Sequence, residues 1–186
     1  MIAFADIRLR AAEPDDLELA YTIENDLSMW PYSATNVPYS RFTLKRFLEE
    51  NTADIYTDKQ VRLTIEWEKE KGTWVAVGFA DLFNFDPYHR RAEIGLAIAQ
   101  EYQAKHLGEK AIAALIEYAV MIDLHVIYAI ISAQNKKASH LFELQDFNPS
   151  TQLSDWLWNG NEYESAIVWQ KVIGRGHESC LHASRP

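Results

Sequence analysis

The chain is expected to fold as α+β, with a mixed, mostly antiparallel sheet of about seven strands flanked by about four helices. Three observations in its 186 residues lead there. Residues 61–67 and 74–83 read as strand runs around the charged turn at 68–72, and a third run, Arg91–Ile98, follows the turn at 84–88, which makes an antiparallel meander. That third run passes through a polar turn into a helix whose Ala111, Ile112, Leu115, Ile116 and Ala119 share one face. Val126–Ser132 is then almost unbroken apolar, the pattern of a strand covered on both sides.

The remaining elements follow in order. Residues 7–10 alternate as a short strand, and Glu13-Pro14-Asp15-Asp16 places acids and a proline where a first helical turn accepts both. Leu17, Ala20, Tyr21 and Ile23 continue that helix. Residues 29–39, aromatic and broken by Pro31 and Pro38, are read as loop. Ser40 or Thr43 caps a second helix bearing Phe42, Leu44, Phe47 and Leu48. A helix is read at 136–144, and late strands at 153–157 and 163–172 flank the turn Trp158-Asn159-Gly160-Asn161, a hairpin signal. Without repeats or a dividing linker, residues 1–173 are read as one domain and 174–186 as a loose tail.

Composition narrows the function classes. Eighteen Lys and Arg against 27 Asp and Glu give a net charge of −9, which repels nucleic acid and favours cationic partners, although solubility alone also accounts for it. No apolar run approaches the roughly 18 residues of a membrane span, and the first residues lack a secretion signal, so the reading is a cytoplasmic protein without a membrane partner. The single Cys180 has no disulfide partner within the chain, and no metal site is read.

A helix opening just after a strand end presents free backbone N–H groups and roughly half a positive charge, an arrangement that holds anions. Here the residues are Gln103-Ala104-Lys105-His106-Leu107-Gly108. They resemble the pyrophosphate loop of the GNAT superfamily of acetyl-CoA-dependent N-acetyltransferases, in which Gln or Arg, two residues, Gly, one residue, then Gly or Ala recur. The wider resemblance, over residues 6–172, is to the subgroup of spermidine N-acetyltransferases and ribosomal-protein N-terminal acetyltransferases. It is carried by Ile7-Arg8-Leu9-Arg10, by His89-Arg90-Arg91-Ala92-Glu93, by Asn135-Lys136-Lys137-Ala138, and by Phe147.

The resemblance implies a GNAT fold and acetyl transfer from acetyl-CoA to a small primary amine, with a polyamine as one acceptor. Self-association into a homo-oligomer is a further expectation from the family. It implies that the backbone at Ile98 and Ala99 binds the pantetheine, with Gln103, Ala104, Lys105, His106, Leu107 and Gly108 at the pyrophosphate and Asn135 at the pantetheine. Asn135 reads equally as a helix N-cap, and Lys105 and Lys110 equally as solvated lysines. Glu93 is the general base of this reading, or else a carboxylate paired with Arg90 or Arg91. His89 stands four residues earlier and so on the same strand face, as a proton relay or a surface histidine. Glu24, Asp26, Trp30 and Tyr32 are candidates for the acceptor ammonium, through charge and cation–π contact.

Three residues depart from the family pattern. His106 stands at the first loop glycine, Asp146 at the glycine before Phe147, and Phe142 where the family has a tyrosine that protonates the departing thiolate. Tyr128 and Ser139 are the substitutes considered for that acid. These departures also motivate a second reading, a binding or assembly protein without chemistry; protein N-terminal acetylation is a third.

Overall fold

The computed structural model describes residues 2–30, 37–52, 54–103 and 105–174. In chain order the elements are β1 (Ile2–Phe4), β2 (Ile7–Ala11), α1 (Leu17–Glu24), α2 (Arg41–Glu50), α3 (Ile55–Asp58), β3 (Val61–Glu70), β4 (Thr73–Asp86) and β5 (Arg91–Ile98). They are followed by α4 (Leu107–Met121), β6 (Val126–Ser132), α5 (Lys136–Glu143), β7 (Asn148–Trp158) and β8 (Tyr163–Val172). The strands form one sheet in the order β1-β2-β3-β4-β5-β6-β8-β7. Every pairing is antiparallel except β5 with β6, which α4 joins by a crossover.

The described residues therefore hold eight strands and five α-helices, one more of each than the sequence suggests. The additions are the shortest of their kind. β1 has three residues and exists only by pairing with β2, while α3 is a single turn capped by the Asp54 carboxylate on the Tyr56 N–H. Patterns of periodicity need longer windows than either offers. The cap of α2 is Ser40, whose hydroxyl accepts from Thr43 N–H.

Helices cover both faces of the sheet. On one side α1 and α2 bury Ala20, Ile23, Leu44 and Leu48 against Phe79 and Ala99. On the other, α4 and α5 bury Ala111, Ile112, Leu115 and Phe142 against Ile7, Leu82, Ile94 and Ile127. β6 is not covered on both faces as expected: Ile127, Ala129 and Ile131 enter the α4/α5 core, whereas Tyr128 and Ile130 are only half-buried.

The feature that positions the site is the parting of β5 and β6. Their ladder holds Arg91 to Val126, Ala92 to Ile127 and Glu93 to Tyr128, then the strands diverge. β5 instead stays on β4 to its end, through Gly78 opposite Ile98. A Cβ at Gly78 would lie 2.2 Å from the Ala97 carbonyl oxygen, closer than atoms can approach. Gly78→Ala must therefore push β4 from β5, and urea denaturation is expected to show a loss of about 1–3 kcal/mol.

Candidate active site

A cleft of about 1260 Å³ opens where β5 and β6 part. One half is lined by Leu96 and Ile98 of β5, by Gln103, His106, Leu107 and Gly108 before and within the first turn of α4, and by Asn135, Ala138 and Leu141 of α5. The other half is lined by Glu24, Trp30, Tyr39, Arg62, Asp81 and Asn84.

In the first half, His106 holds the left-handed geometry (φ 56°) that the glycine of such a loop exists to supply. Histidine is among the non-glycine residues that visit this region most often. The loop shape is thus kept despite the substitution, and Asp146 keeps it likewise at φ 57°. Gly108 sits under Leu141 and Leu96, whose methyls would lie 3.2 and 3.4 Å from an added Cβ. Leu107 is buried core that also lines the cleft. Gln103 donates from Nε2 to the Ile98 carbonyl at 3.1 Å and accepts from Lys137 Nζ at 3.3 Å, so it bridges the two walls at the cleft mouth. Asn135 caps α5, accepting from the Ala138 N–H at 3.0 Å, and it also lines the cleft.

Two cofactor assignments change, those of Ala99 and Lys105, and the neighbouring Lys110 is engaged elsewhere. Ala99 is buried, with its N–H on Val77 O and its carbonyl accepting from Tyr102 N–H, so its backbone is engaged by the protein itself. Lys105 places Nζ over the Trp67 and Tyr102 rings, at 5.1 and 5.7 Å, and is absent from the described lining. Lys110 turns away to Asp6 at 2.6 Å, a bond that holds the Asp6 carboxyl below its ordinary value. Ala104 lies outside the described residues.

Glu93 is half-buried at the last β5–β6 pair, and it adjoins the cleft through Asn84 without itself being among the lining residues. Its Oε2 accepts from Asn84 Nδ2 at 2.9 Å, and Asn84, left-handed at φ 51° in the bulge of β4, lines the cleft. Burial pushes the Glu93 carboxyl above its ordinary value, against hydrogen bonds from Asn84, the Ile130 N–H and Tyr128. The alternative pairing with Arg90 or Arg91 is not formed: Arg90 binds Asp123 at 2.8 Å and Arg91 binds Asp86 at 3.2 Å. His89 lies in the turn before β5, so it shares no strand face with Glu93.

Neither substitute acid reaches the cleft. Tyr128 is the register partner of Glu93, and burial together with the Glu93 charge raises its hydroxyl above the usual value, so it remains a donor to that carboxylate. Ser139 sits off the face of α5 that Ala138 and Leu141 turn to the cleft. Phe142 is buried with its ring edge-on to Phe147 at 4.9 Å.

The second half holds a charged triad of which the sequence reading named only one member. Arg62 binds Asp81 through Nε and an Nη at 3.0 and 2.9 Å, and Glu24 at 2.6 Å. The guanidinium also lies over Phe79 and Phe47. Burial works against its charge, but Asp81 and Glu24 hold it above its ordinary value. Burial pushes Asp81 up, against the pull of Arg62. With both carboxyls ionised, two carboxylates against one guanidinium give the cleft wall a net negative charge. The available signal was energetic: charges in otherwise apolar strands require partners. Of the other candidates, Trp30 lines the cleft and donates to the Glu24 carbonyl at 3.1 Å, whereas Asp26 is occupied by Ser28 in its own turn. Tyr32 lies outside the described residues.

A parted parallel strand pair, with a helix N-terminus at one end of the cleft and a half-buried carboxylate at the junction, is the architecture of an acyltransferase that threads a thioester arm between two strands. The family profile of the acetyltransferase (GNAT) domain matches residues 6–148, and the chain belongs to that family. It is an acetyl-CoA-dependent N-acetyltransferase. Among curated relatives, spermidine N(1)-acetyltransferase of Escherichia coli K12 is 27% identical over 162 residues, 87% of this chain and 83% of that protein. Its counterpart from Vibrio cholerae is 26% identical over 176 residues, 92% of this chain and 98% of that one. The crystal structure of the Vibrio cholerae spermidine N-acetyltransferase in complex with CoA and spermine shares the fold, with TM-score 0.80 at 23% identity, covering 90% of this chain and 95% of that one. No described helix is long and apolar enough to cross a membrane.

Proposed function

We propose that the acceptor is a polyamine of the spermidine class, acetylated at a primary amine with Glu93 as the base. The observation that carries this is the net negative charge of the Glu24–Arg62–Asp81 triad in the acceptor half of the cleft, on a partly buried wall where it is poorly screened. An ammonium group enters that half favourably, and Trp30 and Tyr39 add aromatic surface. The named activity of the two curated relatives supports the same acceptor.

Acetyl-CoA is the co-substrate, and the residues present fit it. The backbone at Ile98 and the side chain of Asn135 would hold the pantetheine, and the first turn of α4 with Lys137 would hold the phosphates, all of them lining the cleft. The amine must lose a proton before its lone pair reaches the thioester carbonyl. Glu93, with a carboxyl raised by burial and oriented by the Asn84 amide, receives that proton through water. The new C–N bond forms as the C–S bond breaks. Phe142 offers no proton, so no acid acts on the thiolate from that position.

Acetylation of spermidine and spermine, compared with a lysine peptide and a free N-terminal peptide, tests the acceptor. A preference for either peptide would overturn it. The pH profile tests the missing acid. kcat is expected to rise through the range in which Glu93 ionises and then stay level to pH ~9.5, the outcome of a thiolate that leaves unassisted at the position Phe142 occupies. A descending limb below that pH would reveal a residue acid.

The proposal extends to a cytoplasmic setting, the compartment that supplies acetyl-CoA. It extends also to a homo-oligomer: the Vibrio cholerae spermidine N-acetyltransferase has a dodecameric structure, and β7 leaves a sheet edge with exposed Trp156 and Trp158. Light scattering coupled to size exclusion checks the second point.

A further inference from the structure

From the acetyl-CoA site described above, we infer that His106 and Glu109 act as a coupled pair that sets phosphate affinity, the histidine offsetting a carboxylate that the first turn of α4 would otherwise turn against the cofactor. Glu109 is the acid in that first turn and lines the cleft. A negative charge there suits the helix dipole but repels a pyrophosphate seeking the same N–H groups. His106 Nδ1 lies 3.0 Å from Glu109 Oε1, with the histidine side chain 80% exposed and the carboxylate 37%.

Of the surrounding cationic side chains, Lys137 stays at the cleft while reaching Gln103, and the others are engaged elsewhere. Lys110 is held by Asp6, Lys105 lies over Trp67 and Tyr102, and His140 faces Glu143 at 3.7 Å. The substitution of the loop glycine thus has a counterpart three residues on. His106 retains the left-handed backbone a glycine would supply, and its ring ties down the carboxylate. Because the free protein already carries the backbone strain, replacing the ring changes binding through the hydrogen bond that holds the Glu109 carboxylate.

Calorimetric titration of the full chain with CoA, for wild type, His106→Gly, Glu109→Gln and the double variant, tests the pair. Pantetheine, which lacks the phosphates, serves as control. His106→Gly is expected to weaken CoA binding about threefold to tenfold, with Glu109→Gln tightening it, magnitudes typical of a charge at a helix N-terminus. The double variant is expected to bind within about twofold of Glu109→Gln alone, the non-additivity of a coupled pair. Pantetheine binding is expected to be the same in all four.

Tighter CoA binding by His106→Gly would overturn the inference, as would an equal effect of that substitution with and without Glu109. Equal losses for CoA and pantetheine would also overturn it, since the residues would then be shaping the loop. Circular dichroism of each variant excludes misfolding, and both side chains are exposed enough for the fold to tolerate their loss. A wild type that bound no CoA would instead strike at the acetyl-CoA site itself.

Discussion

Glu93→Gln is expected to lower kcat for amine acetylation by about 10²–10⁴-fold, the usual contribution of a positioned proton acceptor, while CoA affinity stays unchanged. The amide preserves the shape of the side chain and its contact with Asn84, so the loss isolates the ability to take a proton. Stability should move the other way. Burial raises the folded-state value of Glu93, so the wild-type residue favours the fold most below the unfolded carboxylate value of about 4.3. That contribution is lost as pH rises through the folded value. Glutamine does not titrate. The variant should therefore gain stability relative to wild type between acidic and neutral pH, read from thermal melts at several pH values. Full activity would remove Glu93 from the mechanism. Lost activity without the pH-dependent gain would mean that the carboxylate is not held out of water as its surroundings indicate.

The cofactor half of this site was more legible in the sequence than the acceptor half, for a physical reason. A loop that leads a strand into a helix is local: Gln103, His106, Leu107 and Gly108 lie close in the chain, and their geometry follows from one turn. Glu93 could be placed because the strand carrying it runs on to that loop. The acceptor wall is assembled from α1, β3 and β4, and Glu24, Arg62 and Asp81 meet only because the sheet pairs Arg62 with Asp81 and α1 crosses above them. Periodicity identifies strands but not which charge will face which. The same limit explains Tyr128 and Ser139. Each stands on the expected element, but register and helix phase direct one to Glu93 and turn the other from the cleft. His106 and Asp146 show the converse error. Read as lost glycines they suggest a degraded loop, yet both hold the left-handed backbone a glycine would have held.

Arg62→Met should test how far the triad is structural as well as functional, with an expected loss of about 3 kcal/mol. Breaking a buried ion pair typically costs about 3–5 kcal/mol, because the partner is left as an uncompensated charge. The lower end applies here, since the three side chains retain 18–21% of their exposure. Methionine keeps much of the packing against Phe79 and Phe47 but forfeits the cation–π contacts. The deficit should also depend on pH in a definite sense. Without Arg62, the folded-state value of Asp81, already raised by burial, rises further. The fold then binds a proton there more readily than the unfolded chain, and its stability is lost as pH increases through that value. The variant should come nearest to wild type near pH 4–5 and fall further behind toward pH 8, in urea titrations at each pH. Adding Asp81→Asn should restore part of the loss at neutral pH, because it removes one of the stranded charges. A deficit independent of pH, unrelieved by Asp81→Asn, would mean that Arg62 stabilises through packing alone. The net negative charge invoked for the acceptor would then have to be measured directly, through the salt dependence of KM for spermidine.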